Sequence, residues 1–334
     1  MLEFIFTLDY EIYGNGQGTL AECVINPAKE FIKLFSNYKF PAVVFPEILE
    51  LKKIDEFSTD SDIGKVKLQL REIYESGHEI GLHVHSWWSN AYFASGRWQL
   101  DRREINLCIL GEERISTIIN EAVVSLSTFI NESDFRPITF RNGYWIMQPS
   151  KDISTVLGSR DILIDSTLFK AGHLHKYGVD YRPSLRNNYY WKFTQDINKP
   201  EKDGLLIEVP IFTNLVPFWK MFTRLIKRTG ENKSIDSGFE NIESSRLSRI
   251  KDFLRFRYPQ KLDYCFMKPS DIVSIIDLLK AEDKKQPDVY KPIVLIGHTK
   301  NLVSLNCLDI ILKYLKKGGY EVTTFRQALP NLSS

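Results

Sequence analysis

The chain has 334 residues, 43% of them hydrophobic and 26% charged, with a formal net charge of +2. That hydrophobic share allows a sizeable core, and so balanced a charge argues against a dedicated nucleic-acid binder. The four cysteines, Cys23, Cys108, Cys265 and Cys307, are scattered without a CxxC pair, which signals neither a zinc knuckle nor a redox motif and predicts reduced, mostly buried thiols.

The first apolar run, 2–8, reads as a strand leading straight into Asp9, with Glu11 two residues on. It begins too early to follow a charged n-region, an apolar stretch and a cleavage site, so no secretory leader is expected. No apolar run is long enough to span a bilayer, and the expectation is a cytoplasmic protein. Residues 27–38 predict a helix, with proline at its start and Phe31, Leu34 and Phe35 on one face. Residues 40–45 predict a buried strand. Residues 62–76 predict a helix through Ile63, Val66, Leu70 and Ile73, stopped by Gly77. A strand from Glu79 follows, then the aromatic loop 87–98, then a long helix over about 102–130. The strand from Pro137, the helix from Lys151 and the strand from Ile162 continue the alternation. The strand from Leu205, the helix 270–281, the strand from Ile293 and the helix 304–317 complete it. Strands this apolar, alternating with helices, imply parallel strands covered on their faces. The stretch 213–263 breaks the rhythm as a long insertion, polar over 230–245, and no separate domain is expected within 1–334.

Six polar residues stand where an apolar strand runs out: Asp9, His83, Arg141, Asp165, Glu208 and His298. Chemistry in α/β folds gathers at the carboxyl ends of strands, so this pattern points to an enzyme rather than a binding module. Asp9 and Glu11 share one strand face by count, and paired acids there can divide labour between base and metal ligand. His83 and His85 also share a face, an HxH arrangement suited to zinc or a similar ion. His78 faces away and reads as a structural histidine near a helix end. His173 and His175, in a loop without a neighbouring acid, read as surface histidines. In the loop 87–98 polar residues interrupt five aromatics, Trp87, Trp88, Tyr92, Phe93 and Trp98, so Trp87 or Trp88 is a candidate for stacking on a sugar. Residues 216–228 mix bulky apolar and basic side chains; they suit a helix packed on the fold, with peripheral contact to an anionic membrane as the alternative.

The segment Gly77-His78-Glu79-Ile80-Gly81-Leu82-His83 resembles the second motif of the polysaccharide deacetylases, the NodB-homology carbohydrate esterases. Thr7-Leu8-Asp9-Tyr10-Glu11 resembles their first motif and Phe140-Arg141-Asn142-Gly143-Tyr144 their third. Asp165-Ser166-Thr167 resembles the fourth, and Leu295-Ile296-Gly297-His298 the fifth. The resemblance implies a distorted (β/α) barrel of about seven parallel strands and removal of acetyl groups from N-acetylated sugars with a divalent metal. It further implies Asp9 as general base, His298 as general acid, Arg141 orienting Asp9, and Asp165 paired with His298 to hold it protonated. A backbone N–H near Tyr144 would serve the oxyanion. The chain departs from the motifs at two places. Tyr10 stands where the common first motif has a metal-binding aspartate, and Trp87 where the second has a histidine; Glu11 and His85 are the expected replacements. The expected function is N-deacetylation of an amino sugar in surface polysaccharide or lipopolysaccharide assembly, with zinc held by Glu11, His83 and His85. A metal-independent amide hydrolase of the same fold and a non-catalytic carbohydrate-binding relative are the alternatives.

Overall fold

A computed structural model describes residues 1–217 and 257–333. In chain order, β1 (Leu2–Tyr10) is followed by α1 (Asn26–Tyr38), β2 (Val43–Pro46), α2 (Ile48–Phe57), α3 (Ile63–Glu75), β3 (Glu79–Ile80) and β4 (Leu82–Val84). Next come β5 (Tyr92–Ala94), β6 (Arg97–Gln99), α4 (Glu112–Ile130), β7 (Thr139–Asn142), α5 (Lys151–Gly158) and β8 (Ile164–Asp165). The short strands β9 (His173–Leu174), β10 (Val179–Asp180) and β11 (Trp191–Phe193) lead to β12 (Leu206–Glu208) and β13 (Thr213–Pro217). The described chain resumes at β14 (Arg257–Lys261) and runs through α6 (Pro269–Asp283), β15 (Lys291–His298), α7 (Asn306–Gly318), β16 (Glu321–Val322) and α8 (Phe325–Ser333).

The main strands form two sheets, one ordered β15-β1-β2-β3 with β16 added to β1, the other β11-β12-β8-β7-β4. Every pairing in the first sheet is parallel, and in the second only β11 runs antiparallel to its neighbour. The sheets meet through single bridges, Glu47 to His83 at one seam and Ile211 to Val294 at the other. Among the described residues no continuous ladder crosses either seam, so the expected barrel is corrected to a mixed α/β fold of two parallel-strand sheets. Gly81 accounts for one break. A Cβ there would lie 2.3 Å from the Phe45 ring and 2.6 Å from Thr139 Oγ1, so the backbone passes close to both and the strand divides into β3 and β4.

The helices cover these sheets as their periodicity predicts. In α1, Phe31 and Phe35 are buried, with ring centroids 4.4 Å apart. Phe6 of β1 packs edge-on to Phe35 and beside Tyr264, and burying each such ring contributes about 1.5–3 kcal/mol. α4 begins ten residues later than the spacing predicts. The Asn106 side chain accepts from the Cys108 N–H at 2.9 Å, and Gly111 takes φ +79° immediately before Glu112; these fold the stretch into short turns. The helix α2 falls in a stretch for which the periodicity predicts none. Its N-cap is Glu47, whose carboxylate accepts from the Glu50 N–H, a cap chemistry outside the usual Ser, Thr, Asp and Asn. The aromatic loop contains the hairpin β5–β6, turning at Ser95 and Gly96 with φ of +52° and +72°, as a two-residue turn requires. β13 and β14 pair antiparallel at the two ends of the insertion. The basic stretch 216–228 lies outside the described residues from 218 onward. Among the described residues no helix is long and apolar enough to cross a membrane, and all four cysteines are free, Cys23 and Cys108 buried.

Candidate metal centre and acid–base site

Strand register brings the polar strand ends together. Asp9 and His298 are partners across β1 and β15, His83 and Arg141 across β4 and β7, and Asp165 and Glu208 across β8 and β12. All six are buried.

Arg141 is the anchor. Its Nη1 donates to Asp9 Oδ1 at 2.6 Å and to Thr7 Oγ1 at 2.9 Å, its Nε donates to the Ser166 carbonyl at 3.0 Å, and its guanidinium lies 4.4 Å over the Phe45 ring. Burial pushes the Asp9 carboxyl up, but the Arg141 guanidinium outweighs it and holds the pKa below the usual range. Asp9 is therefore an oriented, ionised carboxylate with Oδ1 committed to Arg141 and Oδ2 turned to His298.

Glu11, His83 and His85 form the candidate metal set. His83 Nδ1 lies 2.9 Å from the Arg141 carbonyl. A carbonyl only accepts, so Nδ1 carries the proton and Nε2 is turned into the site, the arrangement by which metal-binding histidines are fixed. His83 Nε2 and Glu11 Oε2 are buried without a hydrogen-bond partner. They stand 3.8 Å apart, and His85 Nε2 stands 3.5 Å from the same oxygen. These gaps are too long for hydrogen bonds and near the spacing of about 3.3 Å between ligands of one tetrahedral zinc. Two imidazoles and a carboxylate are also a donor set that zinc accepts, so the residues fit the ion. Burial alone pushes the Glu11 carboxyl up, but the nearby Lys300 ammonium outweighs it, and the carboxyl stands well below its usual value. Burial brings His85 down to about 3, leaving it neutral and able to donate a lone pair.

Both substitutions in the motifs have a local cause. Tyr10 points away from the site and donates its hydroxyl to Gln69 Oε1 at 2.8 Å, while Glu11 takes the inward position. Trp87 packs against the His85 ring at 4.3 Å and supports it. Gly143 closes the other side: a Cβ there would sit 2.2 Å from His85 Cδ2. Gly143→Ala is therefore expected to push the ring off Glu11 and weaken zinc binding at least tenfold, as measured by competition with a chromophoric chelator.

The expected pairing of Asp165 with His298 is not formed. Asp165 is completely buried, accepts from Thr167 Oγ1 at 2.5 Å, and is the register partner of Glu208 across β8 and β12. Burial raises the Asp165 carboxyl; it raises Glu208 much further, with the facing Asp165 adding to the effect. His298 instead directs Nε2 to Asp9 Oδ2 at 3.5 Å and Glu11 Oε1 at 3.8 Å. Burial lowers its pKa against the pull of Asp9, Glu11 and Asp263, so His298 is neutral at rest rather than held protonated. Tyr144 and Trp145, half-buried, take φ of +52° and +54°. The Tyr144 ring lies 5.9 Å from His85, and the Trp145 ring 6.2 Å from His298. Trp87 and Trp88 are 1% and 0% exposed, and Trp88 packs edge-on to Trp98. Neither presents a ring face to a sugar; both belong to the packing behind the site. His78 is structural, its Nδ1 accepting from the Ala42 N–H at 3.1 Å. His173 and His175 pair with each other, centroids 5.7 Å apart.

The strand-end pattern left out Lys300, Glu47, Glu50 and Asp263. Lys300 Nζ lies 3.3 Å from Glu11 Oε1. Glu47 Oε1 accepts from the His85 N–H and Glu50 Oε1 from the Ile12 N–H, both at 2.8 Å. These two buried acids thus fasten the backbone beside the segments carrying Glu11 and His85. Glu47 also follows an apolar strand, Val43–Pro46, so the rule that found Asp9 could have found it. Lys300 is two residues past His298, the same offset that singled out Glu11.

No family model matches the chain, and no curated protein matches its sequence. Solved structures resemble it at the level of fold. A protein assigned as a polysaccharide deacetylase from Mycobacterium smegmatis superposes with a TM-score of 0.54 at 13% identity, over 99% of this chain and 90% of that one. A GH57 branching enzyme from Thermococcus kodakaraensis gives 0.53 at 12% identity, over 98% and 70%. A 4-alpha-glucanotransferase from Thermococcus litoralis gives 0.53 at 12% identity, over 98% of this chain and 40% of its own. The chain thus shares the fold of a polysaccharide deacetylase, and the same fold serves GH57 enzymes.

Proposed function

We propose that this chain is a divalent-metal-dependent amide hydrolase that removes the N-acetyl group of an amino sugar. The observation that carries the reading is the unpartnered, buried pair Glu11 Oε2 and His83 Nε2, with His85 Nε2 at matching distance. Glu11, His83 and His85 would hold the ion, zinc in the first instance. When bound, it supplies Lewis acidity toward an amide carbonyl and makes water easier to deprotonate.

The chain's own groups do the rest. Asp9, kept ionised and aimed by Arg141, takes a proton from the attacking water. His298 faces Asp9 Oδ2 at 3.5 Å. Being neutral at rest, it receives that proton and delivers it to the amine nitrogen as the C–N bond breaks. An amine leaves readily only once protonated, so this relay is the step an amide demands. A backbone N–H at the Tyr144–Trp145 turn would serve the developing oxyanion; one such donor contributes about 3–4 kcal/mol. Arg141 and Lys300 offset the charges of Asp9 and Glu11, so a polar amide meets a site without excess negative charge.

The test is acetate release from N-acetylglucosamine oligosaccharides and nucleotide-linked N-acetylhexosamines. Chelator-stripped protein is expected to be inactive and to regain activity on adding one equivalent of zinc. Full activity after stripping, or no acetate from any N-acetylated sugar with zinc bound, would overturn the proposal.

A further inference from the structure

Glu11 belongs to two candidate ligand sets at once, one with His83 and His85, the other with Asp9 and His298. The sets use different oxygens: Oε2 faces His83 and His85, and Oε1 faces His298 Nε2 at 3.8 Å. Asp9 Oδ2 faces the same His298 nitrogen at 3.5 Å. Taken as ligands alone, these five residues would hold a pair of ions bridged by Glu11, the pattern of two-metal hydrolases. Lys300 breaks that symmetry. Its ammonium lies 3.3 Å from Oε1, and its side chain is 7% exposed, so it is held there rather than swinging in solvent. Burying an ammonium is costly unless it is paired, and Glu11 is the partner it faces.

We infer that Lys300 is a built-in cation that takes the place of a second metal ion, keeping Glu11 monodentate and the centre mononuclear. This rests on the proposed metal-dependent reading. It goes further in assigning Lys300 as a positioning residue: the ammonium fixes which oxygen of Glu11 is free for the ion and leaves Asp9 and His298 unligated, available for proton transfer. A dinuclear centre would consume both groups as ligands and remove the acid–base relay. Arg141 acts in the same sense on the other side, holding Asp9 Oδ1 at 2.6 Å.

The experiment is zinc titration of the full chain by equilibrium dialysis with elemental analysis, for the wild type, Lys300→Arg and Lys300→Met. Circular dichroism and melting curves establish that each is folded. The wild type and the arginine variant are expected to bind one zinc per chain, and the methionine variant two. A lysine serving only packing would leave the stoichiometry at one in all three, and that result overturns the inference. A wild type that binds no zinc overturns the metal-dependent reading itself, a different outcome.

Discussion

Asp9→Asn is expected to lower kcat for acetate release by about 10²–10⁴-fold, the usual contribution of a positioned general base. Zinc stoichiometry should stay at one per chain. The asparagine keeps an acceptor for Arg141 Nη1, now 2.6 Å from Asp9 Oδ1, so the fold is retained. What it loses is the negative oxygen turned toward His298. Kinetics on the zinc-loaded variant check this, with thermal melting as the control. Activity within a few-fold of wild type would remove Asp9 from the chemistry and leave Glu11 or His298 to act as base.

Arg141→Met is expected to cost about 3–5 kcal/mol of folding stability, the range for removing one partner of a buried ion pair. The carboxylate of Asp9 would be left buried, and the Thr7 and Ser166 contacts would go with it. Urea unfolding at pH 7 measures the loss as a fall in midpoint at unchanged m. The pH dependence has a definite sign. Arg141 helps hold Asp9 below its usual pKa against burial. A depressed carboxylate stabilises the fold above its unfolded pKa of about 3.9 and loses that contribution as pH falls through the lower folded value. The gap between wild type and variant should therefore be full near neutrality and narrow below about pH 4. A gap independent of pH would mean that Arg141 contributes through packing on Phe45 instead.

Much of this site was legible because strand periodicity and strand ends are local properties. The apolar runs ending at Asp9, His83, Arg141 and His298 became neighbouring strand ends, and parallel register made Asp9 the partner of His298. The helices with a clear apolar stripe, α1 and α3, lie within a residue of their expected bounds. What failed was information that resides between elements. Whether Asp165 meets His298 or Glu208 depends on which strands are adjacent, and β12 rather than β15 lies beside β8. Lys300 and Glu47, by contrast, carry the local signals that singled out Glu11 and Asp9, an offset of two past a strand-end residue and a place just after an apolar strand. Trp87 and Trp88 follow an apolar strand as a cleft residue would, yet they pack inward, against His85 and Trp98. The barrel expectation overlooked the seams, where Gly81 draws the chain against Phe45 and, among the described residues, single bridges join the sheets.

The central claim, that Glu11, His83 and His85 hold one ion, is tested most directly by anomalous diffraction at the zinc edge from crystals grown with zinc. A single strong peak within about 2.0–2.2 Å of Glu11 Oε2, His83 Nε2 and His85 Nε2 is the predicted result. A map with no peak among these atoms, or with zinc bound only at His173 and His175, would contradict it.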